Sequence, residues 1–353
     1  MRILFTFDTG YAPHAATVME SIIQNCPEKL DFAVIYYDLN NNIQRILTNH
    51  FAEKVKSMEF YQIDESVFAK VKNAKMLPWI SLSTYLRLFT PMILTNDNHV
   101  IYLDCDILVQ DNILNILNNA DLSKPVCAVA EYDSAYKYRN VSDFELTKKA
   151  FVSPFIEEAY WYRTLMNLKM RPDAKYFNAG IMVINLSYWR EHNIAEKALA
   201  FLLENPDKVF AVDQDALNHA INGDFHALHP KWNTAGTGGY ELSGYSTQEI
   251  KESLSHPSII HSVGPIKPWH YNYYTVSPKH QKKYKKYRNM TPWPKIEYKN
   301  VSTRQVLGKY LFCPMKRIVK KLLTFLTGKK LHSVVSFLGL NTSVNTHRAK
   351  MRL

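Results

Sequence analysis

The chain predicts an α/β protein built on a mixed, mostly parallel sheet flanked by helices. Two observations carry this. Over the first 130 of 353 residues, short apolar runs rich in β-branched and aromatic residues alternate with helical patterns, which is the signature of βαβ units. Three aspartates, Asp8, Asp104 and Asp106, fall at or just past the ends of such runs, where open α/β sheets gather their ligands.

The elements follow in order. Residues 2–7 read as a buried strand, 8–13 as a loop and 16–24 as a helix. A second strand spans 30–37, a helix 41–55 and a third strand 58–63. Residues 83–89 read as a short helix, and 100–109 as one strand interrupted by two aspartates. Asp111 is placed to cap a helix over 113–117. Further strands are expected at 126–130 and 177–186. Residues 188–203 have the pattern of one amphipathic helix, stopped by Asn205 and Pro206. No internal repeat or low-complexity segment is evident.

With 46% apolar residues the chain can bury a substantial core. Cys26, Cys105, Cys127 and Cys313 show neither paired nor metal-ligand spacing, which points to a reducing compartment. The start is too soon polar for a signal peptide, and no apolar run reaches the roughly 18–20 residues of a membrane span. The expectation is a cytoplasmic protein, peripheral on the inner face of a membrane. The net charge of +11 is unevenly spread. From Lys267 onward, 20 lysines and arginines face one acid, Glu297; the residues before it hold 23 basic and 31 acidic groups out of totals of 43 and 32. The organisation expected is a catalytic region, 1–270, followed by a basic, aromatic-rich region, 271–353. Within that tail, Ile318, Val319, Leu322, Leu323, Phe325 and Leu326 share one helical face, while Lys316, Lys320 and Lys321 lie largely off it. This pattern suits a helix lying on an anionic membrane surface. Binding of nucleic acid by the basic tail is the competing reading, but it gives no reason for the acidic body.

Four constellations carry chemistry. Asp104 and Asp106, at i and i+2 on an extended strand, would point the same way. A buried like-charged pair needs a cation, and carboxylates suit hard divalent ions such as Mg²⁺ or Mn²⁺; two exposed aspartates at a strand end are the plainer alternative. His261 ends the apolar run Ile259–His261 and can offer an imidazole nitrogen to the same ion, although such a histidine is more often structural. Gly264 allows close backbone approach, and Lys267 supplies a charge suited to phosphate. Asn178, beside the small Ala179 and Gly180, can line a sugar pocket or simply open a strand. Asp213, Gln214 and Asp215 open a helix, so N-capping is the plain reading of Asp213.

Taken together these motifs resemble glycosyltransferase family 8, the retaining group that includes bacterial lipopolysaccharide galactosyl- and glucosyltransferases. The matching segments are Phe5–Tyr11, Ser81–Arg87, Asp104–Asp106, Phe177–Gly180, Asp213–Asn218 and His261–Trp269, in family order over about residues 1–270. The resemblance implies a GT-A type nucleotide-sugar-binding fold with a basic helical C-terminal tail. It implies Mn²⁺ (or Mg²⁺) held by Asp104, Asp106 and His261 and bridging the diphosphate of a UDP-sugar. Asp8 would contact the uracil, Tyr11 would stack on it, and Asp104 would also touch the ribose. Gly264 and Lys267 would hold the diphosphate. Arg87, Glu131, Asn178, Ala179, Asp213 and Gln214 would surround the transferred sugar, with Asp213 and Gln214 in the catalytic roles. Glu131 stands where the family usually has an aspartate, Gly10 where relatives often have asparagine, and Trp79 where some have histidine.

The expected activity is retaining transfer of a hexose, glucose or galactose, from UDP to a saccharide or glycolipid acceptor. Lipopolysaccharide core or other surface glycan synthesis is the expected setting. Because an amide is a poor nucleophile, front-face attack with Gln214 as electrostatic support is preferred to a double displacement. The competing readings are a catalytically silent UDP-sugar-binding protein and a nucleotidyltransferase, which leaves His261, Lys267, Asp213 and Gln214 unexplained.

Overall fold

The computed structural model describes residues 1–72, 74, 81–133, 164–235 and 243–298. The described strands are β1 (Arg2–Thr6), β2 (Asp31–Tyr36), β3 (Ser57–Gln62), β4 (His99–Leu103), β5 (Ile107–Val109), β6 (Val126–Asp133), β7 (Lys175–Asn185), β8 (His226–Ala227), β9 (Thr234–Ala235) and β10 (Ile259–His261). Seven form one sheet in the order β3-β2-β1-β4-β7-β6-β8. The first four of these run parallel. β7 is antiparallel to both β4 and β6, and β8 returns parallel to β6. The sheet is therefore mixed and mostly parallel.

Alternate residues of the central strands enter two cores on opposite faces. Leu4, Val100, Tyr102 and Ala128 belong to one; Ile3, Phe5, Ile101, Leu103 and Cys127 belong to the other. Burial on both sides explains why these strands read as continuous apolar runs. The second core is covered by α1 (Ala12–Ile23) and α2 (Asn41–Phe51). The first is covered by helices Ile194–Glu204 and Val212–Ile221.

Four local expectations are corrected. The 100–109 strand is two strands in two sheets: Asp104 follows β4, Cys105 and Asp106 form a turn, and β5 joins the small sheet β5-β10-β9. The 188–203 helix is two helices, Leu186–Glu191 and Ile194–Glu204, because Asn193 adopts a left-handed backbone (φ 54°). The helical turn from Ile113 is capped by Asn112, whose side chain accepts from the Leu114 N–H, and not by Asp111. α1 begins at Ala12, with Pro13 in its first turn, where a missing N–H leaves no helix bond unmade.

Beyond residue 270, Pro278–Arg288 forms a helix packed on α1. The His14 ring stacks on Trp269 at 3.7 Å, and its Nδ1 lies 2.6 Å from the Tyr284 hydroxyl. Asn25 donates to the Tyr287 hydroxyl. The side chains that this helix buries are tyrosines, Gln281 and Arg288 rather than aliphatics, so its sequence carries no apolar stripe. The amphipathic pattern at 316–327, residues 134–163 and Trp79 lie outside the described residues. No described helix is long and apolar enough to cross a membrane.

Candidate active site

The crossing from the large sheet to the small one builds the site. The Asp104 N–H donates to the Gly180 carbonyl, closing the β4–β7 ladder, and the chain then turns. β10 pairs antiparallel with β5, setting His261 opposite Ile107. Asp104, Asp106 and His261 thereby converge, each offering a ligand atom within 4.8 Å of the others. His261 Nε2 lies 3.1 Å from Asp106 Oδ1 and 3.8 Å from Asp104 Oδ2.

The charges around this cluster are unequal. Asp106 Oδ2 is ion-paired with the buried Lys267 ammonium, which also donates to the Ser262 carbonyl. Burial works against the Asp106 carboxylate, but the charges of Lys267 and His261 outweigh it and hold its pKa below the usual range. Burial likewise lowers the His261 pKa, and Asp106 and Asp104 outweigh it, so it stands above the ordinary value. Asp106 Oδ1 is buried without a well-aligned hydrogen donor. An orphaned carboxylate oxygen, a second carboxylate and an imidazole nitrogen around one point ask for a positive charge, and the donor set suits a divalent ion.

Arg87 ties the cluster to the helix that opens at Val212. It is 4% exposed. Its guanidinium donates to Asp104 Oδ1 at 2.9 Å, to the Ala179 carbonyl at 2.6 Å and to Thr84, and lies over the Tyr102 ring. Its Nε is 3.0 Å from Asp213 Oδ2. Asp213 does not cap its helix: its Oδ1 accepts from the Thr84 hydroxyl, and the N-cap position is Ala211. Asp215, inside the helix, reaches back to accept from the Phe210 and Ala211 N–H groups. Burial pushes the Asp213 pKa up to about 6, although Arg87 opposes the shift.

A second network joins Gln214 to β6 and β7. Gln214 Oε1 accepts from the Ala179 N–H at 3.0 Å. Gln214 Nε2 donates to Glu131 Oε2 and to the Tyr176 hydroxyl. Asn178 Nδ2 donates to Glu131 Oε1 at 2.7 Å, and Asn178 Oδ1 accepts from the Gly180 N–H. Glu131, Asn178, Ala179, Asp213, Gln214 and Arg87 thus form one continuous assembly with the three ligands.

Asp8 and Tyr11 sit past the end of β1. Asp8 accepts from the Tyr11 N–H and from the Ser81 hydroxyl. The Tyr11 ring meets Trp269 edge-on at 5.9 Å. Gly264 has φ 93°, which only glycine adopts freely, and a Cβ there would meet nothing within 4 Å. Sequence reading did not single out Gly180 as a site residue. A Cβ there would lie 2.4 Å from His261 Cε1 and 2.8 Å from Asp104 Oδ2. It also missed Thr84, inside the Ser81–Arg87 segment, Tyr176, directly before Phe177–Gly180, and Asn233. The signal for Gly180 was its place at the end of the Phe177–Gly180 segment; for Asn233 none was available.

With a mixed sheet and two aspartates and a histidine at a sheet junction, the chain has a GT-A type fold. The chain belongs to Glycosyl transferase family 8, whose model matches residues 2–273. It is 26% identical over 306 residues to General stress protein A of Bacillus subtilis (strain 168), covering 84% of this chain and 96% of that protein. It is 24% identical to the lipopolysaccharide 1,2-glucosyltransferase of Escherichia coli (strain K12), covering 76% and 73%. Its fold is similar to that of the galactosyltransferase LgtC solved with donor and acceptor sugar analogs: TM-score 0.65, 20% identity, covering 83% of this chain and 96% of that one. Family and fold make the protein a glycosyltransferase, a class that takes a nucleotide-sugar donor and a saccharide acceptor.

Proposed function

We propose that the protein is a metal-dependent, retaining hexosyltransferase that uses a UDP-sugar, with glucose or galactose as the transferred residue. The observation that carries this is the orphaned Asp106 Oδ1 facing His261 Nε2 beside Asp104. Asp104, Asp106 and His261 would hold Mn²⁺ (or Mg²⁺), which when bound supplies positive charge to the leaving diphosphate. Lys267 adds a second positive charge next to Asp106, and the open conformation at Gly264 lets the diphosphate approach backbone. Asp8 and Tyr11 are assigned to the uracil, and Arg87, Glu131, Asn178, Ala179, Asp213 and Gln214 to the sugar side.

In the transfer, the bond from the anomeric carbon to the diphosphate oxygen breaks with its electron pair on UDP. The acceptor oxygen bonds to the same face, and its proton passes to the departing diphosphate. Gln214 is pinned at both ends of its amide, by the Ala179 N–H and by Glu131 with Tyr176. A fixed, engaged amide fits a supporting role better than that of a nucleophile. The test is a donor panel of UDP-glucose, UDP-galactose and UDP-N-acetyl sugars with Mn²⁺, the configuration of the released or transferred sugar being read by NMR. Retention is expected; an inverted product refutes the proposal.

The acceptor is proposed to be a saccharide or glycolipid of the lipopolysaccharide core or another surface glycan. The organisation proposed is a catalytic domain, 1–270, and a basic region, 271–353, that attaches the protein to the inner face of an anionic membrane. Each basic residue near such a surface contributes about 1 kcal/mol. Deleting residues 310–353 should release the chain from anionic vesicles while sparing UDP-sugar hydrolysis; undiminished vesicle binding counts against attachment through this segment.

A further inference from the structure

We infer that Asn233 is a positioning residue that fixes the tautomer of His261 and joins this ligand to the sugar-side network. The inference rests on the metal reading proposed above. Asn233 is 4% exposed and ends the short turn Pro230–Asn233. The next two residues form β9, which pairs with β10 so that Ala235 lies opposite His261. Asn233 is therefore held beside the imidazole by backbone register, not by its side chain alone.

Its orientation follows from a group whose role is not in doubt. The Gly180 backbone N–H is a donor, and it lies 2.9 Å from Asn178 Oδ1. That atom must therefore be the amide oxygen. Asn233 presents a group to the same oxygen at 2.8 Å, which must then be its NH₂. The other end of Asn233, its Oδ1, is left facing His261 Nδ1 at 2.8 Å. Only a protonated Nδ1 satisfies that contact. The neutral imidazole then carries its lone pair on Nε2, the nitrogen 3.1 Å from Asp106 Oδ1. A ligand histidine needs its free nitrogen aimed at the ion and its other N–H held by a partner. Asn233 provides that partner.

The chain continues past Asn178. Asn178 Nδ2 donates to Glu131, Glu131 accepts from Gln214, and Gln214 accepts from the Ala179 N–H. Two adjacent backbone amides of β7, at Ala179 and Gly180, thus anchor every amide flip between the metal ligand and Gln214.

The test is titration of the full chain with Mn²⁺, followed by electron paramagnetic resonance, for wild type, Asn233→Ala, Asn233→Asp and Asp106→Ala. Loss of the acceptor in Asn233→Ala should weaken Mn²⁺ about 10- to 100-fold. Asn233→Asp keeps an acceptor for Nδ1–H, so its affinity should stay within about threefold of wild type. Its second oxygen would face Asn178 Oδ1, so its KM for UDP-hexose should rise. Equal affinity in wild type and Asn233→Ala overturns the inference, and so does an Asn233→Asp affinity as poor as that of the alanine variant. Should Asn233→Ala fail to fold, the Asn233→Asp titration and the ¹⁵N shifts of wild-type His261 decide it: a neutral Nε2–H tautomer refutes it. A wild type that binds Mn²⁺ no better than Asp106→Ala sinks the metal reading itself.

Discussion

Gly180→Ala is a one-methyl perturbation aimed at the centre of the site. The new Cβ would stand 2.4 Å from His261 Cε1, 2.8 Å from Asp104 Oδ2 and 3.0 Å from Asn178 Oδ1. Non-bonded heavy atoms rest at about 3.5–4.0 Å, so the imidazole must retreat by about 1 Å. It has little room, since its Nδ1 is bonded to Asn233 and its backbone is fixed between β5 and β9. Asp104 is held through Arg87 and Tyr102 and yields no more easily. A displacement of about 1 Å at a reacting centre lowers turnover by about 10²-fold, and overpacking of this kind costs about 1–3 kcal/mol of stability. The assay pairs Mn²⁺ affinity with UDP-hexose turnover in the purified variant, and denaturant unfolding reports the stability. A Gly180→Ala protein with wild-type Mn²⁺ affinity and turnover would show that the two ligands do not need their present positions, and the reasoning would fail.

Other perturbations separate the remaining roles. Gly264→Ala meets no crowding but forces a side chain into a left-handed backbone, so it should cost about 1–2 kcal/mol in urea unfolding while leaving Mn²⁺ affinity unchanged. Arg87→Ala removes the cation between Asp104 and Asp213 in a buried setting and should destabilise by about 3–5 kcal/mol; a loss under 1 kcal/mol would deny Arg87 its place as the hub. Asp213 gives a pH signature. Its folded pKa, about 6, lies above the ordinary carboxyl value of 3.8, so the folded state holds the proton more tightly. Stability from this group is greatest below pH 4 and falls as pH rises through 6, by about 3 kcal/mol in total. Asp213→Asn removes that dependence, so the variant should gain on wild type by about this amount between pH 4 and 7; a pH-independent difference in unfolding free energy contradicts it.

Much of the fold was legible because burial on both faces writes itself as apolar runs, as in β1, β2 and β4. The breaks were harder. Apolar residues on both sides of Asp104 and Asp106 disguised a change of sheet as a single strand, because sequence records burial but not the partner strand. The left-handed Asn193 splits what reads as one amphipathic helix over 188–203. At the site, the metal-ligand candidates were legible since carboxylates among apolar residues need an explanation. Arg87 stood in a legible segment, yet its partners Asp104, Asp213 and Ala179 lie far apart in the chain. Asn233 had no signal at all, because its role exists only once β9 and β10 pair.

The central claim is metal-dependent turnover of a UDP-hexose at Asp104, Asp106 and His261. Its most direct test is release of UDP from UDP-glucose and UDP-galactose by wild type and Asp106→Ala, with Mn²⁺ and with chelator. The account predicts release by wild type with Mn²⁺ from at least one of these donors, lost on chelation and lost in Asp106→Ala. Release that persists under chelation, or full activity in Asp106→Ala, would contradict it.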